Sequence, residues 1–218
     1  ETVWKKFAPM ESGIYAEGEA TKPEKIWGRD RFMPTNFAFL PDGGFFLADG
    51  YGAHAIHQYN AAGEWQKMIG STGKEDGQFN LPHGVWIDDR KADDTLIVVA
   101  DRANARLQWF DLQGKHRKTM KDFILPANVD RLGDVLLVPD LSARITLLDG
   151  NDKMIHLGED PAWRELVLKD KMAMRKTPGG WVSGKFVHPH DACFDKDGNI
   201  FVAEWVDTGR ISKLRKVS

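Results

Sequence analysis

The stretch MPTNFAFLPDGGFFLADGYGAHAIHQYNAAGEW (residues 33–65) recurs in altered form as LPHGVWIDDRKADDTLIVVADRANARLQWFDLQGKH (residues 81–116). Each copy opens with a proline-led apolar strand and continues with a strand that ends in a small residue and an acid. A polar turn and a third apolar strand follow. Self-similarity at a fixed period is the signature of a repeat architecture, so this stretch predicts a fold built from repeated units.

Two markers recur along the chain. The opening prolines are Pro34, Pro82, Pro126 and Pro189. The acids that end the second strand are Asp49, Asp101, Asp140 and Glu204. The interval before the last proline is longer and holds PAWRELVLKDKMAMRKTPGGW (residues 161–181), which has no counterpart in the other copies. These markers divide a single domain (1–218) into an N-terminal segment (1–32), four blades (33–80, 81–123, 124–186 and 187–218) and an insertion (159–182).

The local patterns predict strands. Runs such as FAFLPDGGFFLAD and LIVVAD (residues 37–49 and 96–101) alternate at period two and are interrupted by glycine-rich hairpin turns. Four short strands in a unit of about 45 residues are typical of a propeller blade. We therefore predict an all-β fold, a β-propeller with four recognisable blades. The last copy has room for about three strands, so TVWKKF (residues 2–7) is expected to latch it as an outer strand.

Composition excludes several classes of protein. The 218 residues are 42% hydrophobic and 11% aromatic, enough for a sizeable core, and the net charge is −2. Basic residues are scattered, which argues against a nucleic-acid groove or an anionic membrane partner. No apolar run is long enough to span a bilayer. Cys193 is the single cysteine, so an internal disulfide is impossible, and we expect it to be buried.

Four motifs carry a family resemblance. The run VADRANARLQWFDLQGK (residues 99–115) resembles an NHL repeat. In order along the chain, the motifs are similar to peptidyl-α-hydroxyglycine α-amidating lyase and its bacterial NHL relatives. They are PTNFAFLPDGGFFLADGYGAHAI (34–56), GQFNLPHGVWID (77–88), VADRANARLQWF (99–110) and VHPHDACFDKDGNIFVAEW (187–205). The similarity covers the chain from about residue 32 onward.

The resemblance implies a site and an activity. That family has a six-bladed propeller with zinc on its axis, held by three histidines, and a nearby calcium. It cleaves a peptide's C-terminal α-hydroxyglycine to an amide and glyoxylate, as a carbon–nitrogen lyase. Two of the histidines match His83 and His190, and the calcium-binding carboxylate matches Asp191. Tyr51 matches the proton-transfer tyrosine, and Arg102 matches an arginine of the substrate site. Relatives of this kind are commonly secreted or periplasmic.

The chemistry of these residue types agrees with the resemblance. Residues that open the innermost strands of blades converge on a propeller axis, so His83 and His190 are expected to meet there. Zinc favours imidazole ligands. A phenolate such as Tyr51 is suited to removing the hydroxyl proton of a carbinolamide, and Arg102 to binding a carboxylate through a bidentate fork.

The chain departs from the family in its N-terminal part. The family's third histidine lies in an earlier blade, and residues 1–30 contain no histidine. His188, two residues before His190, is a possible substitute ligand, because alternate residues of a strand point to one face. Six blades need about 250 residues. Either an N-terminal part is absent, or the ring closes with fewer blades, or another chain or segment completes it.

Structural interpretations stand beside the functional ones. A Pro-His pair alone favours an imidazole bonded to a backbone carbonyl, whereas two pairs in order favour a metal or ligand site. The repeat acids are expected to cap turns, and Arg106 and Arg144 to pair with them. The alternative to a lyase is a non-catalytic propeller that serves as a protein- or ligand-binding scaffold. The insertion is either a lid or a surface excursion.

Overall fold

The computed structural model describes residues 1–217. The predicted fold class is confirmed: over these residues the protein is all-β, with four antiparallel sheets of the β-propeller type. The chain divides into two compact units. The first comprises Glu1–Asp89 and Asp93–Lys121, and the second comprises Arg90–Ala92 and the chain from Asp122 onward. Two sheets lie in each unit. None of the helices formed by residues 1–217 has the length and apolar character needed to cross a membrane.

The first unit holds two four-stranded meanders. The first sheet consists of β1 (Asn36–Phe39), β2 (Phe45–Asp49), β3 (Ala55–Tyr59) and β4 (Trp65–Ile69). The second sheet consists of β5 (Pro82–Asp88), β6 (Leu96–Asp101), β7 (Arg106–Asp111) and β8 (His116–Met120). Neighbouring strands pair in chain order, as hairpin turns between antiparallel strands require.

The second unit holds the other two sheets. The third sheet consists of β9 (Asp130–Leu132), β10 (Val135–Asp140), β11 (Arg144–Leu148) and β12 (Met154–Leu157). The last sheet has three described strands, β13 (Pro189–Phe194), β14 (Ile200–Glu204) and β15 (Arg210–Leu214). Residues 1–9, which contain the predicted latch, form no strand. Trp4 instead stacks on Phe45 of the first sheet, with ring centroids 5.9 Å apart.

Apolar side chains fill each unit separately. Phe46, Phe79 and Phe110 are fully buried in the first unit, where both sheets contribute to one cluster. Burying a phenylalanine stabilises a fold by about 2 kcal/mol. In the second unit, Ile145 and Val202 lie in a cluster that also includes residues of the insertion.

The insertion forms helix α1 (Pro161–Met172), which ends in non-helical backbone at residues 169–171. Its first turn is capped by Asp160, whose side chain accepts a hydrogen bond from Trp163 N at 2.9 Å. Trp163 and Val167 pack into the core of the second unit, and Leu166 is exposed. The insertion is therefore anchored to its unit through one face of α1.

The repeat acids are buried and accept several hydrogen bonds each. Asp140 accepts from the backbone N–H groups of Ile124, Leu125 and Ser142 at 2.8–3.0 Å. Glu204 accepts from Val187 N at 2.6 Å. Each acid thus ties the end of its strand to the segment that opens the same sheet, as expected of turn-capping residues.

Arginines neutralise three of the four acids. On the strand that follows each acid, an arginine is its register partner. The pairs are Asp101 with Arg106, Asp140 with Arg144 and Glu204 with Arg210. Arg106 Nε lies 2.8 Å from Asp101 Oδ2. Arg144 Nη2 lies 4.0 Å from Asp140 Oδ2. The predicted pairing of Arg106 and Arg144 with their acids is present in the structure.

We expect Arg106→Leu to lower the free energy of unfolding by about 3 kcal/mol, because it leaves the fully buried Asp101 without its cation. Arg117→Leu is the control: Arg117 and Asp94 form an exposed pair 3.3 Å apart, which is worth less than about 1 kcal/mol. Urea unfolding followed by tryptophan fluorescence measures both changes. Equal effects of the two substitutions would contradict the role given to Arg106.

Candidate functional site

Both Pro-His histidines occupy β-bulges at the same place in their sheets. Pro82 pairs with Asp101 and Gly84 with Ala100, so that His83 is the extra residue between them. In the last sheet, Pro189 pairs with Glu204 and Asp191 with Ala203, which leaves His190 as the extra residue. A bulge redirects a side chain out of the regular alternation and is common next to active sites. The repeat therefore presents these two histidines in one local geometry.

The other two sheets carry no histidine at this position. In the third sheet, Pro126 bridges Asp140 in the same manner, and the next residue is Ala127. In the first sheet, the residue after the opening proline is Thr35, whose hydroxyl donates to the carbonyl of Pro82 at 3.0 Å. The residue after the opening proline thus differs among the four sheets, and it is histidine in two of them.

Tyr51 lies against His83. Its hydroxyl is 3.2 Å from His83 Nε2, and the two rings meet edge to face with centroids 5.6 Å apart. The imidazole is 6% exposed. If the hydroxyl donates, Nε2 carries the lone pair that a metal ion also requires. The structure therefore brings two of the predicted residues together.

A tight turn positions Tyr51. Asp49 at the end of β2 accepts from Gly52 N at 3.1 Å and from Ala53 N at 2.8 Å, which closes the turn around the tyrosine. A Cβ added at Gly50 would lie 2.3 Å from the carbonyl oxygen of Pro82. Only glycine permits this close approach, which places the Tyr51 turn on the strand that carries His83.

Arg102 is held next to the same strand. It is buried and opens the 3₁₀ turn Arg102–Asn104 that follows β6. Its backbone N–H donates to the carbonyl of Leu81 at 3.1 Å. Arg102 is thereby anchored at Leu81, two residues before His83. Tyr51, by contrast, contacts His83 itself.

Two further residues beside Tyr51 come from the N-terminal segment. Trp27 is 65% exposed and meets the Tyr51 ring edge to face, with centroids 6.5 Å apart. Arg29 Nη2 donates to the Tyr51 carbonyl at 3.3 Å. This contact was not predicted, because IWGRD (residues 26–30) lies outside the repeat.

The second unit holds the remaining predicted ligands. His190 is half-buried in its bulge, and Asp191 beside it is exposed. Asp191 Oδ1 accepts from the Asn128 side chain at 2.7 Å and from Ala192 N at 2.9 Å. Carboxylate and amide groups of this kind offer the oxygen ligands that calcium prefers.

His188 differs from His190 in its surroundings. It precedes β13 and is 0% exposed, and its Nδ1 lies 2.6 Å from the carbonyl of Leu141, to which it must donate. Nε2 is buried without a hydrogen-bond partner among the described residues, although the Met172 carbonyl lies near enough to affect the pKa. Burial lowers that pKa and keeps the ring neutral. His188 is therefore fully buried ahead of β13, whereas His190 is half-buried within the bulge.

Cys193 is exposed, contrary to the expectation of burial. Its neighbour Ala192 on β13 is buried, and because successive side chains of a strand point to opposite faces, the thiol faces outward. Partial desolvation and the nearby carboxylates of Asp130, Asp191 and Asp195 raise the pKa of the thiol. The cysteine is therefore a poor nucleophile near neutral pH.

A buried histidine lies behind the Tyr51 turn. His57 on β3 is 0% exposed, and its Nε2 is 2.6 Å from the hydroxyl of Tyr15. Trp65 Nε1 donates to its Nδ1 at 3.1 Å. Tyr15 also donates to Asp49 Oδ2 at 2.8 Å. Burial lowers the pKa of His57 to about 4, so the ring is neutral in the folded protein.

Among residues 1–217, no group of three or more His, Cys, Asp or Glu side chains has the geometry to hold a metal ion. Of the predicted metal ligands, His83 lies against Tyr51 in the first unit, and His188, His190 and Asp191 lie in the second.

The sequence has curated relatives but matches no protein-family model. It is 27% identical over 217 residues to peptidyl-glycine α-amidating monooxygenase B of Xenopus laevis, covering 93% of this chain. It is 29% identical over 201 residues to peptidyl-α-hydroxyglycine α-amidating lyase 1 of Drosophila melanogaster, covering 86% of this chain. These matches confirm the resemblance. The chain spans 22% of the Xenopus protein and 35% of the Drosophila protein.

Solved structures agree on the fold alone. Hydrazine synthase of Kuenenia stuttgartiensis superposes with a TM-score of 0.59 at 12% identity, covering 91% of this chain and 49% of that one. A catalytically inactive virginiamycin B lyase from Staphylococcus aureus, solved with quinupristin, superposes with a TM-score of 0.52 at 14% identity. That match covers 85% of this chain and 56% of the lyase.

We expect acid to destabilise the protein through His57. The unfolded chain takes up a proton near pH 6.5 and the folded one only near pH 4, so stability falls as the pH is lowered through this window. The contribution of His57 is about 3 kcal/mol. Gln108 occupies the equivalent place on β7, so His57→Gln is a suitable comparison that keeps Asp49 and His54 unchanged.

Thermal unfolding of both proteins between pH 7 and pH 4 measures this contribution. The variant should show a clearly shallower loss of stability with falling pH. Parallel pH profiles for the two proteins would contradict the assignment.

Proposed function

We propose that this chain is the catalytic part of a metal-dependent carbon–nitrogen lyase that converts peptidyl-α-hydroxyglycine to a peptide amide and glyoxylate. The observation that carries the proposal is the pair of matched bulges that present His83 and His190 opposite a buried acid. The amidating enzymes among the curated relatives point to the same chemistry.

The residues fit zinc in their donor chemistry. Imidazole nitrogen is a preferred zinc ligand, and His83 Nε2 lies 3.2 Å from the Tyr51 hydroxyl. We assign His83 and His190 as zinc ligands. His188 has the second-sphere contact typical of metal-binding histidines, an Nδ1–H bonded to a carbonyl, but its full burial makes it a weaker candidate. Another chain or segment is the alternative source of a third ligand.

Calcium is the second proposed ion. Asp191 is exposed and its neighbour Asn128 is hydrogen-bonded to it, so that both are oriented by the same contact. Hard cations bind oxygen ligands of this type. We propose Asp191 as a calcium ligand, in keeping with the resemblance.

The reaction requires one proton to leave the hydroxyl and one to reach the nitrogen. Removal of the hydroxyl proton lets a carbon–oxygen double bond form, the carbon–nitrogen bond breaks with its electron pair going to nitrogen, and the amide nitrogen gains a proton. Tyr51 is the base, with His83 next to its hydroxyl. Arg102 binds the carboxylate that becomes part of glyoxylate. Zinc, when bound, supplies Lewis acidity that lowers the pKa of the hydroxyl.

The substrate on this proposal is a peptide C-terminus, and the protein acts outside the cell or in the periplasm, as the resemblance implies. The scaffold alternative makes a different prediction for the same histidines: their loss would leave partner binding intact and would affect neither metal content nor glyoxylate.

We expect His83→Ala and His190→Ala each to weaken zinc binding more than about 100-fold and to abolish glyoxylate release, because loss of a mere outer-sphere partner already costs 10–100-fold. His116→Ala is the control, since His116 is bonded to Thr119 on β8, away from the bulges. Zinc titration and a glyoxylate assay with an α-hydroxyglycine peptide measure both effects. Zinc-loaded protein that releases no glyoxylate would overturn the lyase proposal.

Tyr51→Phe tests the base. We expect kcat to fall by about 10²- to 10⁴-fold with zinc affinity retained, since the phenol moves a proton but does not bind the ion. A variant with an unchanged kcat would show that another group removes the hydroxyl proton.

A further inference from the structure

The first sheet lacks the arginine that its three counterparts possess. Where Arg106, Arg144 and Arg210 pair with their acids, the residue opposite Asp49 is Ala55. Ala55 is 1% exposed and brings no charge. A fully buried carboxylate therefore needs another donor, since a buried polar group without one is costly.

Tyr15 of the N-terminal segment supplies that donor. Its hydroxyl is 2.8 Å from Asp49 Oδ2 and 2.6 Å from His57 Nε2, and its side chain is buried. The ring packs edge to face on Phe32, with centroids 5.5 Å apart. Ala8 and Ala53 complete a small apolar cluster around it.

The hydrogen bonds around Tyr15 have one consistent direction. Trp65 Nε1 can only donate, so His57 Nδ1 is the acceptor and the proton of the neutral ring lies on Nε2. Nε2 then donates to the Tyr15 oxygen. The single hydroxyl proton of Tyr15 is left for Asp49. Each group in this buried chain therefore has a defined role.

Asp49 connects this contact to Tyr51. Its Oδ2 accepts from both Tyr15 and Ala53 N, and its Oδ1 accepts from Met33 N and Gly52 N. The carboxylate thus joins the N-terminal segment to the turn that carries Tyr51.

The rest of the segment depends on a limited set of contacts. Glu19 accepts from Arg31 Nε and Phe32 N, each at 2.8 Å, which folds the segment onto itself. Beyond these contacts, Trp27 and Arg29 reach the Tyr51 ring and carbonyl, respectively. A segment docked by a few hydrogen bonds, one ring contact and a small apolar cluster is less firmly held than a strand in a sheet.

We propose that Tyr15 is a positioning residue that replaces the missing arginine of the first sheet, docks residues 8–33 onto that sheet and fixes the Tyr51 turn through Asp49. The docking is independent of the lyase activity, and only its effect on Tyr51 rests on the proposed function. In the second and last sheets an arginine of the same sheet bonds to the acid directly, Arg106 to Asp101 and Arg210 to Glu204, each at 2.8 Å. In the third sheet Arg144 lies 4.0 Å from Asp140.

Hydrogen exchange of the metal-free protein tests the docking without any assay of activity. Tyr15→Phe removes only the hydroxyl, and we expect the amides of residues 8–33 and of Gly52 and Ala53 to exchange about tenfold faster. Tyr59→Phe is the matched control, because the Tyr59 hydroxyl is buried in the same sheet without a hydrogen-bond partner in the described residues. It should change exchange less than about twofold.

A rescue variant separates the two effects of Tyr15. In Tyr15→Ala/Ala55→Arg, the new arginine fills the vacated space and pairs with Asp49, as Arg106 does with Asp101. We expect protection of Gly52 and Ala53 to return while residues 8–33 remain unprotected. Exchange in Tyr15→Phe that matches Tyr59→Phe would overturn the proposal, as would a double variant that fails to protect the turn.

The catalytic consequence has its own measurement. With an α-hydroxyglycine peptide as substrate, Tyr15→Phe should lower kcat with little change in KM, and Tyr15→Ala/Ala55→Arg should recover part of kcat. If the wild-type protein released no glyoxylate, only the lyase proposal would be refuted. The docking role of Tyr15 measured by hydrogen exchange would not be affected.

Discussion

The structure depends on a buried carboxylate that closes each sheet. Asp49, Asp101, Asp140 and Glu204 end the second strand of their sheets and lie inside the protein. Burial of a charge is tolerated only when donors surround it, so each acid fixes the backbone N–H groups that it accepts. The segments so fixed are the opening of the first strand and the turn after the second, and the proposed site is built from these segments.

The features of the site follow from this constraint. The acid pairs with the opening proline, and the bulge that holds His83 or His190 follows directly. Around Asp49, the same constraint closes the turn that presents Tyr51 to His83. A constant framework thus carries variable residues, with histidine in two copies and Thr35 or Ala127 in the others. Repeat proteins acquire function in this manner without changing their core.

The sequence predicts the parts that repeat. Proline and acid markers located the sheets, and the acid–arginine pairs of Asp101 and Asp140 follow from their regular spacing. The bulges were not predicted, since strand alternation gives no signal for one extra residue. The sequence also did not predict that His188 is fully buried ahead of β13, or that Cys193 takes an outward position of that strand. Ala55 stands where the other copies have arginine, which indicates that Asp49 needs a different donor. The sequence does not identify Tyr15 as that donor, because the two residues are 34 positions apart.

Zinc X-ray absorption spectroscopy of the zinc-loaded protein tests the central claim, that the two bulged histidines bind the metal. We expect nitrogen ligands at about 2.0 Å with the multiple scattering of imidazole, and a reduced imidazole contribution in both His83→Ala and His190→Ala. A sulfur ligand at about 2.3 Å, or a spectrum that neither substitution changes, would contradict it.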